Sequence, residues 1–316
     1  MTDKKYYELW KKAVCDRVRQ NFSVEFDNST LLINYLTYIR KCVLYPATIF
    51  ESLEVKKEIS KRPDLKKYYD EIKNRLLSGK GVEPYLSKQA KKLKPDGLFL
   101  DWNILHLHLG KLQSGSEYAD RNEETLHIMI IPNIKSVFFI KIGHHRNSVE
   151  LNPYADVGEL RIIYRNWPCL IKQVSLKDIK ADSPISPDER VKLRKAGITV
   201  PTSVKDDKGK DLVVVPSMFS AGNISVNDII VGLRLPRLIN DIMDSIKKYV
   251  DEKYFSEEVN FYYWPSNHCF EFGVVNENKF DPYIFSFRST DFWEYAFGSK
   301  ENIKLSINKD LYQDVK

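Results

Sequence analysis

The spacing of apolar positions changes character along the chain. Over residues 3–93 it is helical. Tyr7, Trp10, Val14 and Val18 recur at turn spacing, and Leu31, Leu32, Tyr35, Leu36 and Ile39 repeat it. Asp27 or Ser29 precedes this second set and suits a helix N-cap, and Pro46 should end it. Ile49, Phe50, Leu53, Val55 and Ile59 form a third apolar set reaching Arg62-Pro63. A fourth runs over residues 65–77 and ends at Ser78-Gly79-Lys80-Gly81. A short basic helix is expected over residues 83–93.

Lys94-Pro95-Asp96-Gly97 is a turn signal, and the texture after it is strand-like. Residues 104–109, 125–131 and 137–142 are rich in aliphatic, β-branched and aromatic side chains separated by polar loops. With Pro132-Asn133 as a tight connection, they read as a three-stranded meander. Residues 159–179 again look strand-like, and a short helix follows Pro184 and Pro187. Asp206 to Lys210 suits a hairpin turn before residues 212–215. Residues 226–252 read as a helix with Ile230, Leu233, Ile239, Ile242 and Ile246, kinked or broken near Pro236. The tail alternates aromatic with polar residues (Phe261, Tyr263, Phe270, Phe272, Tyr283, Phe285, Phe287), as a small antiparallel sheet does. The expected fold class is α+β. It comprises a helical region 1–94, a central antiparallel sheet region 95–180, and a mixed α/β region 181–316 that ends in a small antiparallel sheet.

Composition narrows the function classes. The chain has 316 residues, 43% of them hydrophobic and 29% charged, which suits a folded domain with a real core and not a disordered segment. Lys+Arg 49 against Asp+Glu 43 gives a formal charge of +6, which permits a polyanionic partner without demanding one. No secretory signal or membrane-length apolar run is visible. The four cysteines (Cys15, Cys42, Cys169 and Cys269) form no CxxC pair. They read as the reduced thiols of a cytoplasmic protein without a disulfide frame. No dinucleotide, kinase, GxSxG or HExxH signature is present. Ser217 to Asn223 has the look of a phosphate-holding turn but lacks P-loop spacing, and reads as a loop.

Histidine is where the sequence becomes specific. The chain has six, and five of them lie between His106 and His145. His106 and His108 are two apart on a strand and so share a face, with Leu105, Leu107 and Leu109 on the other. His127 is on the next strand, and His144-His145 end the third. Neighbouring strands of a meander would bring these imidazoles to one exposed surface, with Arg121 and Glu123 or Glu124 in the loop beside them. Imidazole moves protons near neutral pH, and an arginine can hold a phosphate whose charge grows in a transition state. Cleavage of RNA without a metal needs little else. Two other readings stand beside this one: core histidines satisfied within a sheet, and a His-x-His metal site with a distant His or Glu. Lys88, Lys91, Lys92 and Lys94 precede the meander and suit contacts to nucleic-acid phosphates, or else form a solvated face. The aromatic tail could stack bases, but its alternation fits sheet core better.

Three segments carry a family resemblance. They are Trp102 to Gly110 (WNILHLHLG), Glu124 to Ile131 (ETLHIMII) and Val137 to His145 (VFFIKIGHH). Together they resemble the RelE-type superfamily of bacterial toxin endoribonucleases, particularly members with several active-site histidines. The resemblance implies that His106, His108, His127 and His144 occupy catalytic positions, with Arg121 as phosphate ligand. Lys88, Lys91, Lys92 and His145 would contact the RNA. In this chain Gly143-His144-His145 lacks the family's spacer between glycine and histidine. The helical residues 1–93 and everything after residue 150 have no counterpart in the small toxins. The resulting expectation is a metal-independent endoribonuclease, with no cofactor, acting in the cytoplasm as a toxin or anti-phage effector. Its partners would be RNA and an antitoxin or a phage-derived trigger protein, with no membrane. The alternatives are a nucleic-acid-binding or sensor protein without catalysis, and a metal-dependent nuclease.

Overall fold

In chain order the elements are α1 (Lys5–Phe22), α2 (Asn28–Cys42), β1 (Thr48–Glu51), α3 (Leu53–Ile59), α4 (Pro63–Ser78), α5 (Gly97–Trp102), β2 (Ile104–His108), β3 (Glu124–Ile131) and β4 (Ser136–His144). There follow α6 (Gly158–Asn166), α7 (Pro168–Lys172), β5 (Ser175–Leu176), β6 (Thr202–Lys205), β7 (Asp211–Val214), α8 (Val226–Tyr249), β8 (Val259–Trp264), β9 (Cys269–Val274), β10 (Tyr283–Phe287) and β11 (Ser306–Asn308). The computed structural model describes residues 4–94, 96–144, 158–176, 201–205, 211–216, 226–249, 259–264, 269–274, 283–287 and 306–308. It also describes a few positions between 179 and 200, and residues 209, 292, 296 and 297. His145, Pro95 and the Ser217 to Asn223 loop lie outside the described residues. The fold class is α+β, with two compact units. One comprises residues 1–37, 91–93 and 228–316, and the other residues 38–90 and 94–227.

In the first unit α1 buries Tyr6, Trp10, Val14, Cys15 and Val18, an apolar stripe at helical spacing that uses Tyr6 rather than Tyr7. The helix packs on β8, and Trp10 meets Phe292 with ring centroids 5.8 Å apart. The tail forms the expected antiparallel sheet, in the order β11-β10-β9-β8. α8 runs through Pro236 as one helix from Val226 to Tyr249, so of a kink or a break there the break does not occur. Its buried Asp228 accepts a hydrogen bond from the Thr37 hydroxyl at 2.6 Å.

The second unit is built on a four-stranded sheet in the order β1-β4-β3-β2. Strands β2, β3 and β4 form the expected antiparallel meander, joined between β3 and β4 by a one-turn 3-10 helix at Pro132–Ile134. The fourth strand is a correction. β1 lies inside the stretch expected to be helical and pairs in parallel with β4, Thr48 opposite Ser136 and Glu51 opposite Phe139. The cause is local. Pro46 has broken the helical run, Thr48, Ile49 and Phe50 are β-branched or aromatic, and turn spacing resumes only at Leu53. There Ser52 caps α3, its side-chain oxygen accepting from the Val55 N–H.

Residues 159–179 are corrected more thoroughly. Instead of a strand they form α6 and α7, and among the described residues only Ser175–Leu176 is extended. Glu159, Leu160 and Ile163 recur at helical, not alternate, spacing, and all three are buried. Residues 83–93, expected as a basic helix, form two 3-10 turns, Glu83–Tyr85 and Lys88–Lys92. β6 and β7 pair antiparallel, and β5 adds a third strand beside β7, while most of the turn expected at Asp206 to Lys210 lies outside the described residues.

One irregularity in the main sheet governs the site. On β3 the residues alternate between two faces, and β4 follows them in register from Ser136 to Phe139. Between His127 and Ile128 the register shifts, with Ile128 opposite Phe139 but His127 opposite Lys141. Ile140 is the extra residue of a β-bulge on β4. Its carbonyl accepts the buried Ser52 hydroxyl at 2.5 Å, and the Ser52 N–H bonds the Phe139 carbonyl at 3.0 Å. Ser52 therefore caps a helix and fastens a bulge at once. Ser52→Ala is predicted to leave the buried Ile140 carbonyl and Val55 N–H without this partner, at a cost of about 1–3 kcal/mol. Urea denaturation checks it, and a midpoint equal to wild type would remove the bulge-anchoring role.

Candidate functional site

Residues directly opposite each other in an antiparallel pair point to the same side of the sheet. His106 faces His127 across β2 and β3, and His127 faces Lys141 across β3 and β4. These three make one polar row on one face. The next row on that face is His108, Thr125 and Gly143. The ring of His106 lies 6.4 Å from that of His108 and 6.3 Å from that of His127, centroid to centroid. The structure thus brings His106, His108 and His127 together.

The exposed histidine surface expected from alternation is not what forms. His108 is 2% exposed and His127 4%, while His106 is half-buried. At His127 the reason is the helix over residues 158–166, because α6 delivers Glu159 onto this face. Glu159 Oε1 lies 2.8 Å from His127 Nδ1 and 2.9 Å from Lys141 Nζ. Its other oxygen, Oε2, is buried with no hydrogen-bond partner among the described residues, so the carboxylate's bonding concentrates on one atom. Burial pushes the Glu159 carboxyl pKa up. The hydrogen bond and charge of His127 and the charge of Lys141 outweigh it and hold it down at about 2. An ionised carboxylate only accepts, so His127 Nδ1 carries the proton and Nε2 is left for other work. Nε2 packs over Gly143, where an added Cβ would sit only 2.3 Å from it.

On the far side of the row is a second charged group. Asp96 caps α5 by accepting from the Phe99 N–H, and Lys41 Nζ lies 3.4 Å from its Oδ2. Burial raises the Asp96 carboxyl pKa, but Lys41 and the charge of His106 keep it below the usual carboxylate range. Lys41 and Arg40, both buried at the end of α2, also lie over the Phe99 ring, 5.2 and 4.3 Å from its centroid.

Other expected residues lie elsewhere. His144 is opposite Glu124, a pair on the other face of the sheet, and it is exposed. Glu124 accepts a 2.7 Å bond from Arg62, which holds its carboxyl pKa below the usual range. Arg121 is exposed in the connection between β2 and β3 and makes no hydrogen bond or ion pair with the histidines among the described residues. Lys88 is exposed, its ammonium 5.8 Å from the Tyr118 ring, and belongs with the sheet unit. Lys91 and Lys92 belong to the other unit. Among the described residues no group of three or more His, Cys, Asp and Glu side chains is arranged to hold a metal ion. No helix is long and apolar enough to cross a membrane, again among the described residues.

Sequence reasoning passed over Lys141, Glu159, Lys41 and Asp96. Lys141 carried a signal, since it is the charged residue inside an otherwise apolar strand. Glu159 carried one only under the correct helical period, which puts it beside Leu160 and Ile163.

A carboxylate held this low makes stability depend on acid. Its folded pKa is depressed from 4.5, so its contribution is complete above about pH 4.5 and is lost as the pH falls toward about 2. Glu159→Gln should flatten that part of the stability profile. Denaturation at about pH 6 and about pH 3 tests it. A variant that loses stability in acid as steeply as wild type would show that the pair does not govern this window.

Searches of protein-family models, curated proteins and solved structures found no match to this chain.

Proposed function

We propose that the chain is a metal-independent endoribonuclease acting in the cytoplasm as a toxin or anti-phage effector. RNA would be its substrate, and an antitoxin or phage-derived protein its controlling partner. The observation that carries the reading is the row His106–His127–Lys141, with one imidazole fixed by the buried Glu159 carboxylate. Two imidazoles with different surroundings suit the two proton transfers of RNA cleavage. One takes the proton of a ribose 2′-hydroxyl. The 2′-oxygen attacks phosphorus, the bond to the 5′-oxygen breaks, and the second imidazole gives that oxygen a proton. The products are a 2′,3′-cyclic phosphate and a 5′-hydroxyl, and no redox partner or metal is required. His106 is the more accessible imidazole, and His127 is the one whose orientation Glu159 sets. His144 lies on the opposite face and has no part in this scheme.

A second reading has its own observation. His108 and His127 are almost wholly buried, as core histidines in a binding or sensor protein would be. Purified protein separates the two. Wild type is expected to cut RNA in the presence of EDTA. His106→Ala should lower the rate by about 10²–10⁴-fold, the usual cost of losing a general acid or base. His144→Ala should cut at the wild-type rate. Wild type that binds RNA without cutting it would establish the binding reading. Cleavage lost in EDTA and restored by zinc or manganese would establish a metal-dependent nuclease.

A further inference from the structure

We infer that the polar row is an anion site for a phosphodiester group, bound between Lys141 and His106 above His127, with Lys141 rather than Arg121 as its fixed cation. The substrate class rests on the ribonuclease reading, whereas the anion site rests on geometry alone. Strands in a sheet are about 4.8 Å apart, so Lys141 and His106 stand roughly 10 Å from each other across His127. Long side chains leaning inward from both sides can close on one phosphate. The two flanking members are also the reachable ones. The Lys141 side chain is 24% exposed and His106 is half-buried, while His127 and Glu159 beneath them are almost wholly buried.

Charge favours an anion here. Among the described residues Glu159 is the carboxylate bonded within the row, and it serves both His127 and Lys141 through a single oxygen. Asp96, on the His106 side, is engaged by Lys41. With imidazoles protonated, the row carries more positive than negative charge. An ammonium has three N–H donors, and contact with one carboxylate oxygen leaves donors that can turn to a phosphate. The bulge at Ile140 is what puts Lys141 on this face at all.

His127 is faced by Glu159 from α6, Lys141 from β4 and His106 from β2, and His106 lies beside His108 and His127.

The test uses the full chain and oligodeoxythymidylate, a diester chain with no 2′-hydroxyl and therefore not cleavable by this chemistry. Imidazole NMR signals report the place and fluorescence anisotropy the affinity. The His106 and His127 ring signals should shift on binding. Lys141→Gln should bind at least about tenfold more weakly, and Lys141→Arg should retain most of the affinity. Unmoved ring signals, or Lys141→Gln binding as wild type does, overturn the inference. If Lys141→Gln fails to fold, the wild-type ring shifts and Lys141→Arg decide it, and loss of either is a refutation. RNA cleavage is assayed in parallel. Anion binding without cleavage removes the ribonuclease reading and keeps the site, whereas cleavage with unmoved rings does the reverse.

Discussion

The β-bulge at Ile140 sets the parity of everything beyond it on β4. Up to Phe138, the even-numbered residues of that strand share a face with Met129 and Ile131 of β3. Regular alternation would put Ile140 opposite His127, carry the same parity on through Ile142 to His144, and turn Lys141 away. The extra residue reverses it, so that Lys141 and Gly143 join the histidines, and Ile142 and His144 go to the other side. The inserted residue thus sets an ammonium opposite His127, where an isoleucine would otherwise stand. The exchange depends on Ser52, whose hydroxyl occupies the bulged carbonyl.

The same bulge divides that face in two. On one side of it Ile104, Met129, Phe138 and Ile140 pack with Leu160, Ile163 and Ile171, an apolar cluster that holds α6 and α7 to the sheet. On the other side are the histidines, Lys141 and Glu159. α6 spans both halves, with Leu160 and Ile163 in the apolar cluster and Glu159 one residue earlier in the polar row. The helix therefore brings a carboxylate to His127 with its position already set by hydrophobic packing. Gly143 completes the arrangement, because any larger residue would put a Cβ where His127 Nε2 lies.

How much of this was legible in the sequence follows from what each feature depends on. The meander was legible because alternation is a local signal, and so was the sharing of a face by His106 and His108. The helix over residues 158–166 was not, since a short amphipathic helix with bulky Ile162, Ile163 and Tyr164 has the composition of a strand. The bulge was not legible at all. It depends on a tertiary partner, Ser52, far away in the chain, and without it parity arguments for Lys141 and His144 come out reversed. Lys41 and Asp96 were hidden for a similar reason, since their pairing is a long-range contact between a helix end and a helix cap. Residue types picked out the histidines, and one inserted residue decided which residues of β4 share their face.

Burial changes what that membership implies. Taking charges out of water is costly, and a buried ion pair is often no more stabilising than apolar residues of the same volume. The apolar half of the face already secures α6, so Glu159 and Lys141 are not required to hold the helix in place. A purely structural face would most economically continue the apolar cluster past the bulge. Instead the chain sets an imidazole, an ammonium and a carboxylate in contact and leaves the row accessible at His106 and Lys141. Preorganised charge of this kind, held by a rigid sheet and a packed helix, suits the recognition of an anion, because the cost of orienting the groups is met during folding and not at each binding event.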